Sequence, residues 1–382
     1  MCTGNRKGKV MNYKKVKLII MGVMIGLSLT SCQKDNGSNS SSKSASDIVS
    51  DTKQDLSDDS SSLSQNEEDK IDPKLLEDRE VDVSTLSIQN YGSFLVVNDT
   101  AYEYYSYNDE ITGNFAANIN RAVALAPNSK VYSIIVPTNY EISLYKNVKE
   151  MYPSYNQKEA IESIYSRQNA GSINIDIVDT LKAHRDEYIY YRTDHHWTSL
   201  GAFYAYQKFA KEKGIKYNSL DSFEEVQFPG FLGSFYTESK SSALSANSDV
   251  VYAYKPNSTN ELEFYDENGN VTNWNIIEDV SNWNAGSKYN TFISGDNPLV
   301  KITNPTLSDN SSIVVIKESY GNALVPFLVD HYQHVYVIDY RYYKNSFSSF
   351  LSEYPVDDVL FVNYLSASLS SSNVSRMQNF LR

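Results

Sequence analysis

Asp194-His195-His196-Trp197 places a carboxylic acid and two imidazoles on consecutive positions, just before Thr198-Ser199 and a helical pattern. The chain has only five histidines, so this is where imidazole chemistry concentrates. A carboxylate beside an imidazole can fix its tautomer and support its positive charge, which suits the ring to act as a general base. A hydroxyl for such a base to activate stands in Lys317-Glu318-Ser319-Tyr320-Gly321-Asn322, where Ser319 follows a buried apolar run. A serine alone is a weak nucleophile and needs that partner. In extended backbone, residues two apart project to one side, so Asp194 is expected to cooperate with His196 while His195 points the other way. Amides at the start of a helix behind Ser319 would help to stabilise a developing oxyanion.

Blander roles compete for the same residues. Asp194 is a suitable helix cap, and Ser319 a suitable turn or cap residue. His331 and His334 fall at a predicted helix end, where imidazoles complement the dipole. Asp194, His195 and His196 could also ligate a metal. Adjacent histidines on a strand diverge, however, and the chain holds no HExxH pair, so neither a metal nor another cofactor is expected.

The elements that must position these groups read as an α/β alternation. Gly92–Val97 and Thr100–Tyr105 suggest a hairpin around Asn98-Asp99. Phe115, Ile119, Ala122 and Val123 share a helical face that Pro127 ends. VYSIIV at 131–136, IVVI at 313–316, VYVI at 335–338 and VLFV at 359–362 are short apolar runs of the kind buried on both faces of a parallel sheet. Further strands are expected over 173–178 and 188–192, and helices over 157–167, 199–213 and 323–331. Thr198 or Ser199 caps the second of these helices and Gly214 closes it. Residues 228–311, rich in Gly, Asn, Ser and Asp, read as an irregular β-rich insertion. In such sheets functional residues gather at the carboxyl ends of strands, which singles out Pro137-Thr138, Asp194–Trp197 and Glu318–Asn322.

The N-terminal residues specify a compartment. Lys14, Lys15 and Lys17 precede an apolar run from Leu18 to Leu29, then Thr30-Ser31-Cys32. A basic region, a short apolar stretch and small residues before a cut form a secretory signal. Residues 1–31 are expected to be removed and Cys32 to be lipidated, whether translation starts at Met1 or Met11. The mature chain then holds no second thiol, so no disulfide framework forms. Residues 32–79 are Ser-, Asp- and Asn-rich and read as a disordered tether, leaving 80–382 as the folded domain. A formal net charge of -13 argues against nucleic acid as a partner.

TDHHWTSLGA is similar to the defining run of the DHHW family of bacterial exported proteins. That family resembles the SGNH-hydrolase-like domains of alginate O-acetyltransferase proteins, whose run is D-x-H-W before a Gly-Ala helix start. VPTNYEI, GFLGSFY at 230–236, SGDNPL at 294–299 and VIKESYGNALVPFL at 315–328 extend the resemblance from about residue 89 onward. It implies a permuted, flavodoxin-like SGNH-hydrolase-like fold, mostly parallel with helices on both faces. It makes Ser319 the nucleophile, His196 the base and Asp194 its orienting acid. His195 and Arg192 become candidates for substrate contact, and Gly295 and Asn297 for additional oxyanion donors. Glu318 and Lys317 stand where the usual block has Asp and Gly. The implied protein is a lipid-anchored extracytoplasmic acetyltransferase or esterase acting on cell-envelope polysaccharide. Its partners would be that glycan, an acyl donor and a membrane-bound acyltransferase. The alternative is a non-catalytic lipoprotein that binds glycan in the same cleft.

Overall fold

The structure, a computed structural model, describes residues 71–168 and 171–382. The expected signal segment, Cys32 and nearly all of the expected tether lie outside the described residues. The main sheet comprises β1 (Lys130–Val136), β2 (Ser172–Ile175), β3 (Glu261–Tyr265), β4 (Val271–Asn275), β5 (Leu299–Thr303), β6 (Ser312–Lys317), β7 (His334–Asp339) and β8 (Asp358–Tyr364). Their spatial order is β2-β1-β8-β6-β7-β5-β3-β4. The first five in that order are mutually parallel. The last three continue the sheet in antiparallel fashion. Residues 228–311 thus supply three strands of the sheet itself, together with one arm of a two-stranded ribbon, Glu224–Phe231 against Asp249–Lys255.

Central strands β6 and β8 are buried along their whole length, as parallel strands covered on both faces must be. Four longer helices are α1 (Asp109–Leu125), α2 (Gln157–Ser166), α3 (Ser199–Lys213) and α4 (Ser371–Phe380). α1 packs with α2 and α4. α3 packs against the ribbon and the 325–331 turns, and its Phe209 meets Tyr132 of β1 edge-on. Thr198 caps α3, and Gly214 ends it at φ 78°, a left-handed conformation that favours glycine.

Three expected elements differ. Residues 188–192 form no strand. Tyr191 N–H bonds His196 O at 3.2 Å and Thr198 N–H bonds Ile189 O at 3.0 Å, so the run doubles back on itself with one bridge between Tyr190 and Trp197. The expected strand over 173–178 stops at Ile175, because Asp176 accepts from Val178 N–H and starts the helix Val178–Ala183. The expected helix over 323–331 is instead the 3-10 segments Ser319–Ala323 and Val325–His331, with Pro326 early in the second.

The doubled-back run is fastened to the carboxyl edge of the parallel strands. Tyr190 Oη donates to Pro137 O beyond β1 at 2.7 Å, and Trp197 Nε1 donates to Tyr320 O beyond β6 at 2.9 Å. Trp197 is fully buried. The return of the run also depends on Gly201, where an added Cβ would lie 2.5 Å from Ile189 O. Backbone cannot yield there as a flexible side chain would. Gly201→Ala is therefore expected to destabilise the protein by about 1–3 kcal/mol, read as a lower urea midpoint with unchanged m-value.

Candidate active site

The run and the serine turn meet through one hydrogen-bonded chain. Asp194 Oδ1 lies 2.5 Å from His196 Nδ1, and His196 Nε2 lies 2.7 Å from Ser319 Oγ. With Nδ1–H held by the carboxylate, Nε2 is the acceptor and Ser319 donates to it. The alternation expected of extended backbone is not what brings Asp194 and His196 together. Oδ1 also accepts from His196 N–H at 3.0 Å, closing a side-chain turn over two residues. Oδ2 accepts from Ser234 N–H at 2.7 Å.

Burial opposes ionisation of Asp194. The facing His196 and His195 and the hydrogen bonds from His196 and Ser234 outweigh that effect and hold the carboxyl well below its usual range. Gly233 fits directly against this group, since a Cβ there would sit 2.2 Å from Asp194 Cβ. A second buried carboxylate, Asp249, shapes the turn from behind. It accepts from Arg192 N–H at 3.0 Å, Thr193 N–H at 2.7 Å and Thr193 Oγ1 at 2.6 Å, and also from the Tyr188 hydroxyl.

The serine turn is held from three sides. Glu318, buried at the end of β6, accepts from Tyr364 N–H at 2.8 Å and from Tyr320 N–H at 3.3 Å. Its carboxylate is also 3.3 Å from Ser319 Oγ, a longer contact than that to His196. Burial pushes the Glu318 carboxyl upward. Below, Lys317 is fully buried and bonds Asp296 at 3.0 Å and Asp339 at 3.3 Å, while Arg341 pairs with both aspartates. On the third side the buried Tyr289 stacks on His196, ring centres 4.0 Å apart, and donates to Ser319 O at 3.0 Å.

Several expected roles change. His195 does not point away from His196: their rings are 4.0 Å apart, and the bend over 192–196 is the reason. For the same reason the two histidines do not diverge, and ligand atoms of Asp194, His195 and His196 lie within 4.8 Å of one another. A metal there would compete with the bonds to Asp194 and Ser319 and with that between His195 Nδ1 and Ser234 Oγ. Arg192 is turned to Ser248 O, Asp249 and the face of Tyr188, and makes no contact with the Asp194–His196–Ser319 chain. Gly295 spends its N–H on Phe292 O at 2.9 Å, and one hydrogen of the Asn297 amide goes to Ser294 O at 3.1 Å in the same loop. The amides of Tyr320 and Gly321 are likewise engaged, by Glu318.

The DHHW protein family matches residues 35–338, most of the sequence. The chain belongs to the DHHW family. A DHHW family protein from Eubacterium siraeum is 27% identical, with a TM-score of 0.70 over 77% of this chain and 97% of that one. Bacillus cereus PatB1 shares the fold at 19% identity and TM-score 0.60, over 76% of this chain and 99% of its own. PatB1 with a sulfonyl adduct superposes at TM-score 0.59, with the same identity and coverage. A search of curated proteins found no match to the sequence. The fold of this DHHW protein is accordingly SGNH-hydrolase-like α/β.

Sequence reasoning overlooked Tyr289, Asp249 and Glu103. The first two sit in the irregular segment, where no periodicity marks them. Glu103 accepts from the Tyr364 hydroxyl, and Tyr364 stacks on Tyr320 at 4.3 Å. Burial pushes its carboxyl up to about 7, against the hydrogen bonds from Tyr364 and Ser366. An acid whose folded pKa is raised contributes stability that is full below its unfolded value, near 4.5, and lost as pH rises through about 7. Glu103→Gln should therefore flatten the dependence of thermal midpoint on pH between 4.5 and 8. An unchanged slope in differential scanning calorimetry would contradict this assignment.

Proposed function

We propose that this DHHW protein is a serine acyltransferase or esterase acting on O-acyl groups of a cell-envelope polysaccharide. The observation that carries this reading is the continuous chain from Asp194 through His196 to Ser319 Oγ, with contacts of 2.5 and 2.7 Å. A non-catalytic glycan-binding protein has no need of a hydroxyl aligned on an imidazole whose other nitrogen is held by a buried carboxylate.

In the proposed reaction Ser319 Oγ attacks the acyl carbonyl carbon as His196 Nε2 takes its proton. Asp194 balances the imidazolium charge. Collapse of the tetrahedral intermediate expels the donor's oxygen, which receives that proton from His196. The acyl-Ser319 ester is then attacked by a sugar hydroxyl or by water, again deprotonated by His196, and Oγ regains its proton on leaving. Lys317 positions the turn from below, Glu318 braces its backbone and lies 3.3 Å from Ser319 Oγ, and Tyr289 holds the His196 ring by stacking.

Ser319→Ala and His196→Ala are each expected to lower acetyl-ester turnover by about 10³-fold or more. A sulfonyl fluoride should add one sulfonyl group to Ser319 with loss of fluoride; PatB1 is known with a sulfonyl adduct. Intact-protein mass spectrometry reads this directly. Chelator treatment should leave turnover unchanged. Full activity of Ser319→Ala, or loss of activity with chelator, would refute the serine mechanism.

The proposal includes the address. Cys32 is lipidated after removal of residues 1–31 and holds the domain at the extracytoplasmic face of the membrane. There it meets its glycan, and a membrane-bound acyltransferase is a fitting source of acyl groups. Cys32→Ser should move the protein from the membrane fraction to the soluble one, and a variant that stays with the membrane would argue against the anchor.

A further inference from the structure

His195 is the one member of the Asp194–His196 cluster that the proposed reaction leaves without a task. Its Nδ1 is 2.7 Å from Ser234 Oγ, and its backbone N–H also donates to that oxygen at 3.2 Å. Ser234 Oγ accepts from the His195 N–H, which leaves its own proton able to serve His195 Nδ1. In the corresponding tautomer Nδ1 accepts and Nε2 carries the hydrogen. Burial, and the closeness of the second imidazole, lower the His195 pKa to about 4, so the ring stays neutral near pH 7.

The orientation of the two rings gives this hydrogen a direction. His196 Nδ1 meets Asp194 Oδ1 at 2.5 Å, and His195 Nδ1 lies 3.8 Å from Oδ2 of the same carboxylate. The rings are inclined by only 34° with centres 4.0 Å apart. In both rings Nδ1 is therefore the nitrogen nearer Asp194, and Nε2 the one farther from it. His196 Nε2 is the acceptor bonded to Ser319, whereas His195 Nε2 has no hydrogen-bond partner among the described residues, and the side chain of His195 is 31% exposed against 8% for His196.

We infer that the paired Nε2 atoms form an acceptor–donor fork that recognises a vicinal diol on the acyl-accepting sugar. One hydroxyl donates to His196 and is the oxygen that attacks acyl-Ser319. The oxygen on the adjacent ring carbon accepts from His195 Nε2–H. This rests on the acyl-Ser319 reading above and deepens it by naming the acceptor class. The proton inventory is unchanged: His196 alone takes a proton, and His195 keeps its own throughout. Water fills only one prong of the fork, so His195 favours transfer to sugar over hydrolysis.

The test is the ratio of acyl transfer to hydrolysis, with p-nitrophenyl acetate as donor and a soluble glucosaminide acceptor that carries adjacent free hydroxyls. His195→Ala and His195→Phe should lower that ratio about tenfold, the usual scale for one lost neutral hydrogen bond. His195→Gln, which retains an N–H donor, should recover most of it. Wild-type protein offered the acceptor with the neighbouring hydroxyl replaced by hydrogen should lose the same factor, with no further loss in His195→Ala. An unchanged ratio in the donor-lacking variants, or equal use of the deoxy acceptor by wild type, would overturn the fork. Absence of any acyl-Ser319 in wild type would instead refute the reaction on which it rests.

Discussion

A single buried negative charge organises this molecule's reactive surface. Asp194 has almost no access to water, yet it stays ionised because an imidazole and two backbone N–H groups converge on it. Removing a carboxylate from water is costly, and only such dense compensation makes it tolerable. Every one of those donors must then keep its place. That requirement explains the close approach of Gly233, whose missing side chain leaves room for the carboxylate. It also explains why the turn is braced from behind by Asp249, a second buried acid saturated with hydrogen bonds.

The serine half of the site obeys the same logic at the centre of the sheet. Ser319 leaves β6 between β8 and β7, and its turn is tied to both neighbours. Glu318 holds the main chain of Tyr364 at the end of β8, and Lys317 holds Asp339 at the end of β7. Asp296 joins this group from a loop in which Ile293 and Ser294 adopt φ of 46° and 62°. Such left-handed backbone is unfavourable for side chains other than glycine. The anchoring of Asp296 by Lys317, Asn322 and Arg341 offsets it. A histidine from a doubled-back loop and a serine from a central strand thus meet as two rigid pieces, which favours reaction geometry without a large ordering cost on binding.

Much of this was legible from the chain alone. The apolar runs that became β1, β6, β7 and β8 announced themselves because a strand buried on both faces admits little else. Helix α3 carried its own punctuation in Thr198 and Gly214. The aromatic run at 188–192 misled, since bulky and β-branched residues serve a buried loop as well as a strand, and only tertiary hydrogen bonding chooses between them. Gly295 looked available as a donor because sequence shows which groups can donate but not whether a neighbour already accepts.

The sequence by itself determined the chemistry on offer: an acid and two imidazoles in one short run, a serine after a buried strand, and residues able to build an α/β sheet around them. These follow from side-chain type and local periodicity, which are properties of short segments. Only the tertiary structure decided that His196 meets Ser319, which group each Nδ1 faces, and that both rings share one carboxylate. Those outcomes depend on Ser234, Asp249, Tyr289 and Tyr320, from four separate stretches of chain. Their convergence is a matter of packing across the whole domain, and no local pattern encodes it.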